Sequence, residues 1–200
     1  MTFSLASLSS TSSAAKTFLP SRFEITFTKE LQSILKKKKE SKGKMIYQYP
    51  NKIRIEQDRP FKTMYISNGQ KAWLYSAPLD PRKEKGEVTI LNPREIPITK
   101  IFTWLRKGPE SNKIYKVSKK ANVLTLTFHQ KSRKRYQIEF VKVEMNHSKT
   151  DDFNQIKSLI IKTENSTERY KITAINPSPK IPSGYFDFKI TEKMNVSENF

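Results

Sequence analysis

The chain contains no cysteine, only five glycines and only two histidines, and each shortage removes a class of chemistry. Without cysteine there are no disulfides, no thiolate metal sites, no cysteine nucleophile and no lipidated N-terminal cysteine. The five glycines are scattered, so no phosphate-cradling loop can be assembled from consecutive backbone amides. His129 and His147 lie eighteen residues apart, without the i, i+4 relation that puts two imidazoles on one metal, and both are read as surface residues. Asp151-Asp152 is an adjacent loop pair, the kind that caps or solvates. With no nucleophile beside a base, no spaced carboxylate pair and no metal ligand set, the chain is read as a non-enzyme with no metal and no cofactor. Nor does any stretch approach the roughly 18 apolar residues of a membrane-spanning helix.

Acidic residues are also in short supply, 19 against 38 Lys and Arg, for a formal charge of +19. That surplus implies attraction to an anionic surface, whether nucleic acid, acidic phospholipid or acidic protein. The lysines are spread over most of the chain rather than gathered into one stripe beside aromatics, which favours a solvated surface over a nucleic-acid groove. A basic nucleic-acid-binding β protein, with salt-sensitive binding, stays open as the alternative. Two hundred residues, 36% of them apolar, suffice for one domain with a real core. Residues 16–200 are taken as that domain. Residues 1–15, small and uncharged, resemble the back half of a signal peptide, with Ser12 and Ala14 suited to cleavage before Ala15; a Ser-rich disordered tail is the other reading.

From residue 22 onward short segments of alternating polarity predict a mainly β fold. Phe23, Ile25 and Phe27 alternate with Glu24, Thr26 and Thr28 over Arg22 to Leu31. The run Lys36 to Gly43 reads as a charged hairpin tip. Lys44 to Tyr49 and Lys52 to Gln57 follow, joined at Pro50-Asn51, where proline removes a ladder donor. Thr63 to Ser67 and Lys71 to Ser76 flank Asn68-Gly69, a pair whose turn needs positive φ. Pro78 to Gly86 reads as a loop. Ile98, Ile101, Phe102 and Leu105 recur at helical spacing within Pro97 to Lys107, ended by Gly108-Pro109. Strands are then expected at Ile114 to Ser118, Val123 to His129, Arg135 to Val143, Ile156 to Thr163, Thr167 to Ile175 and Tyr185 to Thr191. The sum is about ten strands, antiparallel in sequence order, and one helix. An apolar strand face reads the same whether it lines a cavity or packs as an ordinary core, so the residues alone leave both open.

Several spaced elements resemble the LolA family of outer-membrane lipoprotein carriers. They are Phe23-x-x-x-Phe27-Thr28, Ser41-x-Gly43 ahead of Tyr49-Pro50-Asn51-Lys52-Ile53-Arg54, and Tyr65-Ile-Ser-Asn-Gly69 followed by Ala72-Trp73-Leu74-Tyr75. The helix from Ile98 to Leu105 and a late Phe186-Asp187-Phe188 strand complete the order. The resemblance implies an unclosed antiparallel β half-barrel with a short helical lid over an apolar cavity. It implies a periplasmic monomer that takes acylated lipoproteins from an inner-membrane lipoprotein-releasing transporter to an outer-membrane acceptor or the membrane itself, and does not bind nucleic acid. Alternation and family position together assign Phe27, Tyr47, Tyr49, Ile53, Ile55, Leu74, Phe102, Leu105, Leu126, Phe128, Ile138 and Phe140 as lining or lid residues. Lys36, Lys37, Lys38, Lys39, Lys42 and Lys44 are the candidate docking cluster for an acidic transporter loop or anionic lipid. One departure stands out: relatives often carry arginine just before the strand proline, latching the lid, where this chain has Tyr49.

Overall fold

The computed structural model describes residues 17–33, 38–58, 62–78, 80, 82, 85–93, 97–106, 108–147 and 152–199. The expected leader segment, Lys36, Lys37 and Asp151 lie outside the described residues.

β1 (Arg22–Ser33) sets the pattern for the sheet, burying Phe23, Ile25 and Phe27 with more exposed residues between them, because successive side chains on a strand point to opposite faces. Along the chain follow β2 (Lys38–Gln48), β3 (Lys52–Gln57), β4 (Thr63–Ser67), β5 (Ala72–Ser76) and β6 (Gly86–Leu91). Helix α1 (Pro97–Leu105) leads into β7 (Tyr115–Lys120) and β8 (Val123–Phe128), then helix α2 (Gln130–Tyr136) and β9 (Ile138–Met145). A 3-10 turn at Phe153–Gln155 precedes β10 (Ile156–Thr163) and β11 (Ser166–Asn176), and β12 (Met194–Asn199) closes the series.

Among the described residues twelve strands form one sheet in the order β12-β6-β5-β4-β3-β2-β1-β11-β10-β9-β8-β7. β12 and β7 end that order without pairing to each other, so the sheet is unclosed. Its curvature follows from what shares a pocket. Leu74 on β5 and Ile138 on β9 line the same small well, although seven strand spacings separate them in the order. In a flat sheet that distance is about 34 Å, so the sheet must curl into a half-barrel.

Four expectations are corrected. The strands number twelve rather than about ten, since β6 and β12 occupy stretches not read as strands; β2 also begins at Lys38, inside the expected hairpin tip. The charged start of β2 has no apolar alternation of its own; it is extended because it pairs with β1, Gln32 opposite Lys38 and Glu30 opposite Glu40. Sequential antiparallel order fails twice, because β1 pairs with β11 and β12 runs parallel to β6. The stretch from Tyr185 to Thr191 is not a strand but a strap across the outer face of β4–β6. Residues 135–137, expected as strand, end helix α2 instead, and Gln137 turns the chain in the left-handed region with its N–H bonded to Arg133 O.

The Asn68-Gly69 turn forms with Gly69 at φ 92°. Asn68 Oδ1 accepts the N–H groups of Gln70 and Lys71 at 3.0 and 2.9 Å, so the side chain supplies the turn's missing acceptor.

Apolar residues divide between the two faces. The concave face of β1–β3 and β7–β11 holds the main core, closed by α1 through Ile101, Phe102 and Leu105. On the outer face of β4–β6, Ile66, Trp73 and Val88 form a second cluster under the strap, with Phe188 6.3 Å from Trp73 and 6.0 Å from Tyr75 between ring centroids. The strap is held by Arg54, which donates from Nη1 to Tyr185 O at 3.1 Å and stacks on the Tyr185 ring at 4.9 Å.

Candidate functional site: a lidded apolar half-barrel

The centre of the concave face is aromatic. Phe23 touches Tyr47, Phe102 and Phe153 at centroid distances of 5.2, 5.3 and 4.7 Å, and Tyr47 meets Phe102 at 5.3 Å. Beneath α1, apolar side chains from β1, β2 and β9–β11 enclose only about 30 Å³, roughly the space of one water molecule. With the lid down the centre is filled. Two wider spaces flank it: a well of about 290 Å³ between β3–β5 and β9–β11, and an open groove of about 900 Å³ beside α1 where Trp104 and Tyr136 meet Lys100 and Arg135. The open space thus lies to either side of α1, and the centre beneath it is closed.

α1 is fastened at its C-terminal end. Phe18 N–H donates to Arg106 O at 2.9 Å, bringing buried Phe18 and Leu19 under the helix end. Thr103 Oγ1 lies 3.3 Å from Pro50 O and 3.0 Å from Thr99 O, and the Tyr47 hydroxyl donates to Pro50 O at 3.1 Å. Burial pushes the Tyr47 phenol above its ordinary range, so it stays a donor. The Arg106 guanidinium sits 3.8 Å from the centroid of the Tyr49 ring, a close cation–π contact. Tyr49, just before the strand proline, thus meets the lid, with the cation supplied from the lid side.

Of the expected lining residues, Phe27, Tyr47, Ile53, Ile55, Phe102, Leu105, Leu126, Phe128 and Ile138 lie together in the concave core. Tyr49 and Leu74 are more exposed, at 44% and 39%; Tyr49 lies beneath Arg106, while Leu74 faces the well. Phe140 is apart from this cluster. The β9–β10 register shifts between Ile138 and Phe140, so Val141, Val143 and Met145 are buried while Phe140 takes the opposite side, with Lys142 Nζ 5.0 Å from its ring. A β-bulge reverses side-chain parity, and the adjacent apolar pair Phe140-Val141, after which Val143 and Met145 follow the new phase, was its signal in the sequence. Sequence reasoning also missed Lys29, Tyr65, Ile161 and Tyr170 in the well wall. Lys29 continues the inward parity of Phe23, Ile25 and Phe27, which was a usable signal.

The charged hairpin is partly neutralised. Lys44 pairs with Glu24 at 2.9 Å and Lys38 with Glu30 at 3.5 Å, and the Glu24 hydrogen bond raises the Lys44 pKa. Lys39 and Lys42 are exposed on β2. Inside the half-barrel, Lys29 pairs with Glu168 at 3.1 Å, and the Tyr170 hydroxyl donates to Glu168 at 2.6 Å. Burial first, then the Glu168 charge, raises the Tyr170 phenol well above its usual value.

The fold is an unclosed β half-barrel whose apolar inner face is covered by one amphipathic helix among the described residues. The particular family follows from the sequence match: the profile described as outer membrane lipoprotein carrier protein LolA covers residues 20–189, and the chain belongs to the LolA family, a family of carriers. No curated protein matches the chain in sequence. Among solved structures, a LolA superfamily protein of Nitrosomonas europaea aligns with a TM-score of 0.43 at 7% identity, over 84% of this chain and 91% of that one. A PNGF-II structure aligns with a TM-score of 0.38 at 11% identity, over 90% of this chain but 32% of its own.

Proposed function

We propose that this protein is a periplasmic carrier that shields the acyl chains of lipoproteins, accepting them from an inner-membrane transporter and releasing them to an outer-membrane acceptor or the membrane, as a monomer and without catalysis. The observation that carries this reading is the continuous apolar concave face, with aromatic side chains at its centre and a single fastened helix as cover. Each methylene moved from water into such a face contributes about 0.8 kcal/mol, so part of one acyl chain gives useful affinity and a deeper acceptor can still remove it. The lining set is Phe27, Tyr47, Ile53, Ile55, Leu126, Phe128 and Ile138, with Phe102 and Leu105 as lid residues and Leu74 at the well. Lys39 and Lys42, exposed on β2, with Lys36 and Lys37 just before them in the sequence, dock on an acidic transporter loop or anionic lipid. Lys38 and Lys44, already paired with carboxylates, add less.

The test is mass spectrometry of the natively purified protein and its organic extract, paired with displacement of a fluorescent acyl probe. Co-purifying lipoprotein or acyl lipid, released in step with probe binding, supports the carrier. A lipid-free protein that ignores the probe and shifts nucleic acid at low salt overturns it in favour of a basic nucleic-acid binder.

A further inference from the structure

Helix α2 contributes almost nothing to the core. Of its seven residues only Ser132 is buried, while Lys131, Arg133, Lys134 and Arg135 stand exposed and the helix carries no carboxylate. A helix without an apolar stripe gains little from tertiary packing. α2 is nevertheless held in one place. Arg133 Nε donates to Phe128 O at 3.0 Å, and the Tyr136 ring meets Trp104 of α1 edge-on at 5.1 Å. A helix C-terminus favours cations in its last turn, which steadies α2 and leaves their charge open to solvent.

Among the described residues none of these four cations forms an ion pair with a carboxylate. Glu139 and Glu164 share a groove of about 690 Å³ with Arg133 and Lys134 without reaching ion-pair distance, and two carboxylates leave the surface positive. On the other side of α2, Trp104 and Tyr136 stand in the wall of the groove of about 900 Å³. Lys100 Nζ and the Arg135 guanidinium lie over the Tyr136 ring, at 4.9 and 5.5 Å from its centroid. Lysine and arginine gathered beside tyrosine and tryptophan is the set of side chains that rests at the headgroup level of a bilayer, the rings at the apolar boundary and the cations on lipid phosphates. An acidic peptide would engage the cations and leave the rings without a part. A nucleic-acid base would have to stack where Lys100 and Arg135 already sit.

We infer that α2, with Trp104 and Tyr136 beside it, is a docking surface for an anionic phospholipid bilayer, separate from the β2 lysines and independent of the carrier reading. Lys131, Arg133, Lys134 and Arg135 meet the lipid phosphates, and the two rings lie at headgroup depth. Trp104 belongs to α1, so docking in this orientation brings the helix that covers the concave face against the membrane.

The experiment measures co-sedimentation of the full chain with vesicles of phosphatidylglycerol and phosphatidylcholine in equal parts, and with phosphatidylcholine alone. Binding is expected only to the anionic vesicles. Replacing Lys131, Lys134 and Arg135 by glutamine, with Arg133 kept because it holds Phe128 O, should weaken binding on the order of a hundredfold, about fivefold per cation. Replacing Lys119, Lys120 and Lys171, exposed on β7 and β11, removes the same charge and should weaken it less than about threefold at physiological salt. A headgroup-labelled quencher lipid should dim the wild type and spare Trp104→Phe, whose remaining Trp73 lies in the cluster under the strap. Equal losses in the two triple variants would overturn the inference, because net charge alone would then drive binding. Binding without quenching of Trp104 would overturn the orientation and the inference with it. A protein that ignores both vesicles and holds a polyglutamate peptide through Lys131, Lys134 and Arg135 would give the surface to an acidic protein instead. None of these outcomes involves an acyl probe, so the carrier reading stands or falls separately.

Discussion

Replacing Arg106 by alanine tests whether the lid is a separately movable part. The guanidinium lies 3.8 Å from the Tyr49 ring centroid, just past the end of α1. A cation–π contact contributes about 0.5–2 kcal/mol, depending on how far it is removed from water. Arg106 also carries a buried Nη1 with no hydrogen-bond partner among the described residues, an opposing cost that places the net value near 1 kcal/mol. If the contact exists in the closed lid and not in the open one, its loss raises the open population about fivefold, since 1.4 kcal/mol is a factor of ten. On the carrier reading, and because the space under α1 is filled in the closed form, the open form is the competent one. Apparent affinity for a long-chain acyl probe then rises by the same factor, as long as open molecules are a minority. Amide exchange of the α1 peptide should accelerate about fivefold too, with the amides of β1 and β2 little changed. Tyr49→Phe keeps the ring face and should behave as wild type. Tyr49→Ala should match Arg106→Ala, and the double variant should add little beyond either. Arg106→Ala protein that loses stability to denaturant while α1 exchange and probe affinity stay put would refute the reasoning, because the contact would then belong to the global fold.

Phe23→Ala should destabilise the protein by about 3–5 kcal/mol in denaturant unfolding, since Phe23 is wholly buried and joins three other rings; a loss below about 1 kcal/mol would mean that the concave centre is loosely packed. Gly43→Ala should cost about 1–3 kcal/mol, because an added Cβ runs into Glu56 O and the edge of the Phe27 ring, and a variant of unchanged midpoint would contradict that close approach. Tyr170 and Tyr65 have folded-state pKa values raised above the ordinary phenol value of 10.0. Their contribution to stability is complete below that value and is lost as pH rises through the folded-state values. Phenolate absorbance from these two rings should therefore appear only together with alkaline unfolding, and ionisation in a protein whose circular dichroism remains native would count against their burial.

Much of the fold was legible in the sequence because strands report themselves through a period of two. The ranges Lys52–Gln57 and Val123–Phe128 carry that alternation, and α1 carries its stripe of Ile98, Ile101, Phe102 and Leu105. Asn68-Gly69 marked a turn because positive φ is cheap for glycine and the Asn side chain can close the loop itself. The misses have equally local causes. α2, with four cations in the stretch Gln130 to Tyr136, has no apolar stripe to announce it, and β12 is extended only through its partner β6.

What the sequence determined by itself was which segments alternate, which residues are large and apolar, and that the charge is strongly positive, since each is a property of neighbours in the chain. The tertiary structure alone decided which of the two faces each apolar set occupies. It sent Trp73 to the outer cluster and Leu74 to the well, turned Phe140 outward at a bulge, set β1 beside β11, and gathered Tyr65, Lys29 and Glu168 into one wall. Alternation fixes that two faces differ, but strand order, register and curvature decide which is inside, and those come from pairings between residues far apart in the chain.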